Sequence, residues 1–274
     1  MISSGIEQAK VVVDQHFDRA AQYWENVYHH RDVNGQIYRE RRAAVLRMVD
    51  TLFLPRNTRI LEVGCGAGAT SVALASRMYR VEAVDSVEKM ISATRRLAEQ
   101  AGVSDLVSSR MADIHSLPYA NGEFELVLAI GVMPWMPSLR GPLSELARVV
   151  APGGHLIVTA DNSIRISRLL DPVGSAIHFA GNTLRRLKLR ANGAVARMYT
   201  PSQFDAALKA AGFEIERGRT IGFGPITFAK RRVLPQSLGL MVHRKCQDLA
   251  DNRIRIVRSL GSHYVVLARK PSAS

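Results

Sequence analysis

Three acidic residues and a run of glycines hold the chemistry most easily read from this chain. Glu62-Val63-Gly64-Cys65-Gly66-Ala67-Gly68 follows an apolar stretch and leads into a helical one. Glycines at a strand-to-helix turn let the backbone bend sharply and a ligand come close, and the N–H groups of the helix start then face that ligand. Asp85 ends the next apolar stretch, where a carboxylate can accept both hydroxyls of a ribose. Asp113, in MADIHSLPY, falls at the end of a further strand region, where an acid can accept from an adenine amino group. Gly64, Gly66 and Ala69 also fit the dinucleotide fingerprint G-x-G-x-x-G/A, so the loop alone admits a nicotinamide enzyme. A ligand that joins adenosine to an amino acid would use all three acids.

These residues need elements to hold them. RILEVG (59–64), VEAVD (81–85), ELVLAI (125–130) and HLIVTA (155–160) read as strands, with FEIERG (213–218) and HYVVLARK (263–270) as the final ones. Between them TSVALASRM (70–78), VEKMISATRRLAEQ (87–100) and SLRGPLSELARVV (138–150) carry helical periodicity, with Gly102 as a stop. Thr200-Pro201-Ser202-Gln203 is a helix start, with Thr as cap, Pro at the first helical position and Gln three residues on. Strands alternating with helices at this spacing predict βαβ units, a parallel sheet and a doubly wound α/β fold. An N-terminal helical region, 1–53, precedes the first strand.

ILEVGCGAG, VEAVDSVEKM, ADIHSLPYANGEFELVLAIGV and LSELARVVAPGGHLIVTA, in this order, resemble class I S-adenosylmethionine-dependent methyltransferases of the ubiquinone/menaquinone-biosynthesis type. The resemblance covers residues 58–161, with a looser echo in HFDRAAQYW (16–24). It implies a Rossmann-like sheet of seven strands, the last antiparallel, and S-adenosylmethionine as cofactor. By the same resemblance Glu62, Gly64, Gly66 and Gly68 surround the methionine part, and Asp85 with Ser86 holds the ribose. Met90 packs on the adenine, Asp113 and the backbone of Ile114 read its edge, Ile130 borders the sulfonium and Tyr23 helps to close the site. Residue by residue, Met90 also suits plain core packing, Asp85 a helix cap and Cys65 a small apolar filler.

An oxygen or activated-carbon nucleophile would benefit from a general base. His29, His30, His115, His155 and His178 are all available, and their positions do not choose among them, so the catalytic residues stay unassigned. Trp135, after the fourth strand, stands where an acceptor would enter or simply fills the core.

Length and composition set the outer limits. The 274 residues are 47% hydrophobic and 22% charged, an ordinary globular balance that excludes collagen-like and disordered classes. Two cysteines, Cys65 and Cys246, make no disulfide framework or zinc motif, so no metal is expected and a reducing, cytoplasmic setting is the default. No signal peptide or membrane span is expected.

The net charge of +13 is unevenly spread. Residues 1–160 carry 17 basic and 17 acidic side chains, whereas 161–274 carry 20 and 7. The basic excess falls in two pieces, 161–199 and 222–256, expected to cover the acceptor within a methyltransferase domain of residues 54–274, behind an N-terminal lid of 1–53. TLRRLKLR (183–190) reads as a short basic amphipathic stretch. The partner expected is a small hydrophobic, lipid-like or glycosylated acceptor, or an anionic one, in the biosynthesis of a quinone, lipid or other secondary metabolite. Peripheral contact with an anionic membrane is expected, and no nucleic acid. The rival classes are an NAD-dependent oxidoreductase and a methyltransferase-like module that binds without turnover.

Overall fold

The computed structural model describes residues 2–171, 173, 196–229, 231–252 and 257–272. The basic stretch 183–190 and His178 lie outside the described residues.

Three helices come first: α1 (Ile2–Arg19), α2 (Ala21–Asn26) and α3 (Val33–Asp50). Asp32 caps α3 by accepting the Gly35 N–H at 2.9 Å. Strands and helices then alternate as predicted: β1 (Arg59–Val63), α4 (Ala69–Ala75), β2 (Arg80–Asp85), α5 (Glu88–Gln100), β3 (Val107–Met111), β4 (Phe124–Ala129), α6 (Arg140–Val149) and β5 (Val150–Asn162). After the short α7 (Ile166–Leu169) and β6 (Met198–Tyr199) comes α8 (Pro201–Ala210). Its start is the full capping box: the Thr200 hydroxyl accepts the Gln203 N–H, and the Gln203 side chain accepts the Thr200 N–H. The chain closes with β7 (Glu214–Ile221), the two-stranded β8 (Thr227–Phe228) and β9 (Arg231–Arg232), α9 (Gln236–Asp251) and β10 (His263–Arg269).

The main sheet runs β3-β2-β1-β4-β5-β10-β7, with β6 added beside the end of β5. Its first five strands are parallel, and β10 inserts antiparallel between β5 and β7. The fold is therefore the doubly wound α/β sheet expected, seven strands along the main path and a two-residue eighth. Strand order reverses at β1, which has β2 on one side and β4 on the other. Connections leave in opposite directions there, and a crevice opens at the carboxyl ends of the strands.

Alternation along each strand feeds two cores. Leu61, Val127, Leu156 and Val266 face Leu143 and Leu146 of α6 and Phe204 and Leu208 of α8. Their neighbours Ile60, Leu126, Ile157 and Val265 face Val45 and Val49 of α3, Leu74 of α4 and Ile91 of α5. Burying each such side chain contributes about 1.5–3 kcal/mol, which fixes the sheet rigidly behind the crevice. From the opposite side α9 packs on α3: the fully buried His243 puts Nε2 2.9 Å from Glu40 Oε2, and its Nδ1 accepts the Phe223 N–H.

Candidate active site

A cavity opens where the topology requires, at the carboxyl ends of β1, β2 and β4, with α1, α2 and α3 forming its other wall. The glycine loop shapes the floor. Gly64, Gly66 and Gly68 all have positive φ (71°, 54° and 81°), the left-handed region that glycine enters at no steric cost. The loop's own amides, as distinct from those of the helix start, are taken up within the fold. Gly64 and Cys65 N–H both donate to Val84 O, Gly66 N–H donates to Asp85 Oδ2 at 2.9 Å, and Gly68 N–H donates to Cys65 O. The loop spends these donors on β2 and on itself, which locks it to the strand that carries Asp85.

Two carboxylates are held in this wall. Glu62 is 2% exposed and accepts from the Ser71 hydroxyl, and burial pushes its carboxyl up to about 7. Asp85 accepts from Gly66 and, at 3.0 Å, from Val87 N–H, and burial still pushes it up to about 6. Such groups favour a ligand that brings a cation or hydroxyl donors. Cys65 is buried with Sγ 3.5 Å from Thr94 Oγ1, and burial pushes its thiol up, so it is no nucleophile.

Most of the other residues singled out from sequence reach this cavity. Met90, Ile114 and Ile130 line it, and Met90 is buried against Ala21, Val87, Phe17 and Trp24. Ser86 lines it too, its hydroxyl donating to Asp14 of α1 at 2.6 Å. Asp113 is at the wall, but one oxygen already accepts from the backbone N–H and ring Nδ1 of His115, both 2.9 Å away, and the other is 3.2 Å from Lys10. Burial pushes the Asp113 carboxyl up, yet the hydrogen bonds from His115 and Lys10 and the Lys10 charge hold it below its ordinary range.

Two expectations need correction. Gly68 is not in the lining: it caps α4, and a Cβ there would lie 2.8 Å from Thr94 Cγ2, so it serves the packing of α4 on α5. Tyr23 is 41% exposed and packs on Trp24 and His30; the lining residues on that side are Trp24, Tyr28 and Tyr38. A helix turns 100° per residue, so adjacent positions on α2 face different ways.

Apart from Trp135, sequence reading missed the aromatic side of the cavity. Trp135, Phe17, Trp24, Tyr38 and His263 form a row of rings with successive centroids 5.0, 5.6, 5.6 and 5.8 Å apart. Trp135 thus belongs to a lining, not to the core. Arg41 lies 4.7 Å over the Tyr38 ring and 7% exposed, beside Gly131 at the end of β4. Asp161 faces His263 in the antiparallel β5/β10 register, and their side chains meet at 3.0 Å. Burial pushes the Asp161 carboxyl up, but the hydrogen bond and charge of His263, with Arg165 and Arg41 near, hold it below its ordinary range. Only pairing across two distant strands makes this dyad, and no local motif signals it. Of the histidines weighed from sequence, His115 lines the first cavity on Asp113, whereas His29 is exposed, His30 packs on Tyr23, and His155 faces Glu216 at 3.5 Å.

A second cavity of about 530 Å³ shares Tyr38, Asp161 and His263 with the first. It extends toward Arg165, Arg168, Asp171 and Thr227.

Comparison with known proteins agrees with this geometry. Residues 61–158 match the family described as a methyltransferase domain. A ubiquinone biosynthesis O-methyltransferase of Rhizobium johnstonii is 29% identical over 214 residues, 78% of this chain and 73% of that one. The 27-O-demethylrifamycin SV methyltransferase of Amycolatopsis mediterranei is 26% identical over 212 residues, 76% of this chain and 74% of that one. The solved structure of the cyclase SpnF shares the fold, with a TM-score of 0.61 at 21% identity over 95% of this chain and 96% of that chain. The buried acids, the glycine loop and the domain match coincide on the same strands: residues 61–158 form the methyltransferase domain of a class I S-adenosylmethionine-dependent methyltransferase.

Proposed function

We propose that this chain transfers a methyl group from S-adenosylmethionine to a hydroxyl of a small, largely apolar, ring-bearing acceptor, in the biosynthesis of a quinone, lipid or other secondary metabolite. The observation that carries the reading is the row of rings from Trp135 to His263, which runs along the cavity past Met90 to the Asp161–His263 pair. Aromatic side chains along the cavity suit a ring-bearing acceptor and exclude water from it. The relatives named above are, by their names, an O-methyltransferase of ubiquinone biosynthesis and a methyltransferase of 27-O-demethylrifamycin SV.

The bound cofactor supplies an electrophilic methyl group on a sulfonium. The residues of this chain have the task of holding and aligning. Glu62, with its carboxylate buried behind Ser71, complements the cationic methionine part, beside Gly64 and Gly66. Asp85 accepts from the ribose, with Ser86 next to it. Met90 and Ile114 enclose the adenine, Asp113 reads its edge, and Ile130 borders the sulfonium. Helices α1 to α3, within residues 1–53, act as a lid over residues 54–274 and contribute Phe17, Trp24 and Tyr38 to the aromatic row. Alignment of this kind can supply much of the rate, since well-oriented reactants reach effective molarities of about 10⁵–10⁸ M.

Calorimetric titration tests the cofactor half. S-adenosylmethionine should bind and NAD should not; binding of NAD alone would overturn the reading. Tritium-labelled cofactor offered with an organic extract of cells tests the other half, with label expected in an apolar, hydroxyl-derived product. No label transferred despite tight cofactor binding would make the protein a binding module.

The C-terminal portion also supports peripheral contact with an anionic membrane. Phe228, Val233, Leu238 and Met241 are exposed large apolar residues in the same stretch as the exposed Arg231, Arg244 and Lys245. Each cation near such a surface contributes about 1 kcal/mol. No helix among the described residues is long and apolar enough to cross a membrane. Flotation with liposomes should rise with anionic lipid content and fall with salt; indifference to both would remove the proposal.

A further inference from the structure

We propose that His263, oriented by Asp161, is the general base that takes the proton from the acceptor hydroxyl. The inference rests on the O-methyltransferase reading above and deepens it. Three observations converge. First, His263 lines both cavities, so it stands at the junction between the cofactor wall and the polar second chamber. Second, the 3.0 Å contact with Asp161 engages Nδ1. An ionised carboxylate accepts only, so Nδ1 carries the hydrogen and the lone pair falls on Nε2. Among the described residues no hydrogen bond occupies Nε2. Third, the surroundings favour a ligand that carries acceptor oxygens. Trp24 Nε1 and Arg41 Nε at the first cavity and Arg165 Nε at the second are buried donors without a hydrogen-bond partner among the described residues. A ring hydroxyl beside a carbonyl or carboxylate meets both demands.

The step balances as follows. The acceptor oxygen forms its bond to the methyl carbon, the carbon–sulfur electron pair stays on sulfur, and the hydroxyl proton passes to His263 Nε2. Asp161 stays ionised and stabilises the imidazolium. The charged and titratable groups around His263 are Asp161 on β5, Arg165 beyond it, and Tyr38 and Arg41 on α3.

The test uses the full chain with 3,4-dihydroxybenzoate, which carries both ring hydroxyls and a carboxylate, at millimolar concentration. His263→Gln should lower kcat by about 10²-fold or more, and the fall of rate on the acid side of the wild-type profile should vanish. Its affinity for S-adenosylmethionine should stay within about twofold. Asp161→Asn should also lower kcat, with a smaller change in KM for the acceptor. Independently of turnover, nitrogen NMR of neutral His263 should show the Nδ1–H tautomer, and Asp161→Asn should shift it. A His263→Gln enzyme with wild-type kcat and acid limb, or an Nε2–H tautomer in the wild type, overturns the proposal. If the wild type binds cofactor but methylates neither this probe nor any hydroxyl compound of an extract, the underlying reading fails and the proposal falls with it.

Discussion

Gly66 and Gly68 look equivalent in sequence, and the structure says that alanine at each will fail differently. Both have positive φ, so alanine at either costs about 1–2 kcal/mol of left-handed strain. At Gly66 nothing lies within 4 Å of the added Cβ, and the residue lines the cavity, so strain is the whole folding cost. At Gly68 the Cβ would lie 2.8 Å from Thr94 Cγ2 and 2.9 Å from Thr94 Cα. Thr94 is fully buried on α5, so its backbone cannot step aside. Overpacking of that kind adds about 1–3 kcal/mol. Gly68→Ala should therefore lose about 2–5 kcal/mol, a large part of a typical stability of about 5–15 kcal/mol, and Gly66→Ala about 1–2. Urea unfolding followed by circular dichroism measures both, and calorimetry measures cofactor binding by whichever variants fold. Cofactor affinity should reverse the order, with Gly66→Ala the weaker binder because its methyl group occupies ligand space. Equal stabilities, or a folded Gly68→Ala that binds worse than Gly66→Ala, would refute the assignment of Gly68 to packing.

Asp85→Ala removes the carboxylate that ties the loop and awaits the ribose. A hydrogen bond to a charged group contributes about 1.5–3 kcal/mol, so the calorimetric Kd for S-adenosylmethionine should rise roughly 10- to 150-fold; an unchanged Kd would rule out the ribose role. Stability of the ligand-free protein should fall with rising pH. Glu62 and Asp85, at about 7 and about 6, lie above their ordinary values of 4.5 and 3.8. Their contribution is complete below those ordinary values and is lost as pH rises through about 6 to 7. Over the same window cofactor affinity should rise as binding expels a proton, which titration in buffers of different ionisation enthalpy reads directly; a flat profile refutes the buried-acid account. Thr200→Ala should cost about 1 kcal/mol through the lost cap of α8, measured by thermal unfolding, with cofactor affinity untouched.

Much of the fold was legible because its strands are short β-branched runs, buried on both faces, separated by amphipathic helices. β1, β2, β4 and β5 are of this kind. β3 was harder: VSSRM is polar, lies at the sheet edge and exposes Met111, so its membership comes from pairing with β2 and not from its own pattern. The cofactor wall was legible because Glu62, the glycines, Asp85 and Asp113 lie at strand ends in sequence order. The acceptor side was not. Tyr38 and Arg41 on α3, Asp161 on β5 and His263 on β10 come from three separated places and meet only through the packing of α3 on the sheet and the antiparallel register of β10. Gly68 shows the opposite failure, a motif position whose role depends on a neighbour, Thr94, that the motif does not contain.

Helices α1 and α2 are joined to the cofactor wall mainly by polar contacts at the rim: Lys10–Asp113, Asp18–Lys89 and Glu25–Arg96 at 3.2, 2.8 and 2.9 Å. Exposed pairs of this kind contribute about 0–1 kcal/mol each and weaken with salt. Beneath them lie Phe17, Ala21 and Trp24 on Val87 and Met90, with Phe17 also on Trp135 and Trp24 on Tyr38. We expect this roof to lift without disturbing the sheet and its opening to set the residence time of whatever lies beneath it. Spent cofactor would then leave by that route, and raising ionic strength should speed product release in rapid-mixing experiments.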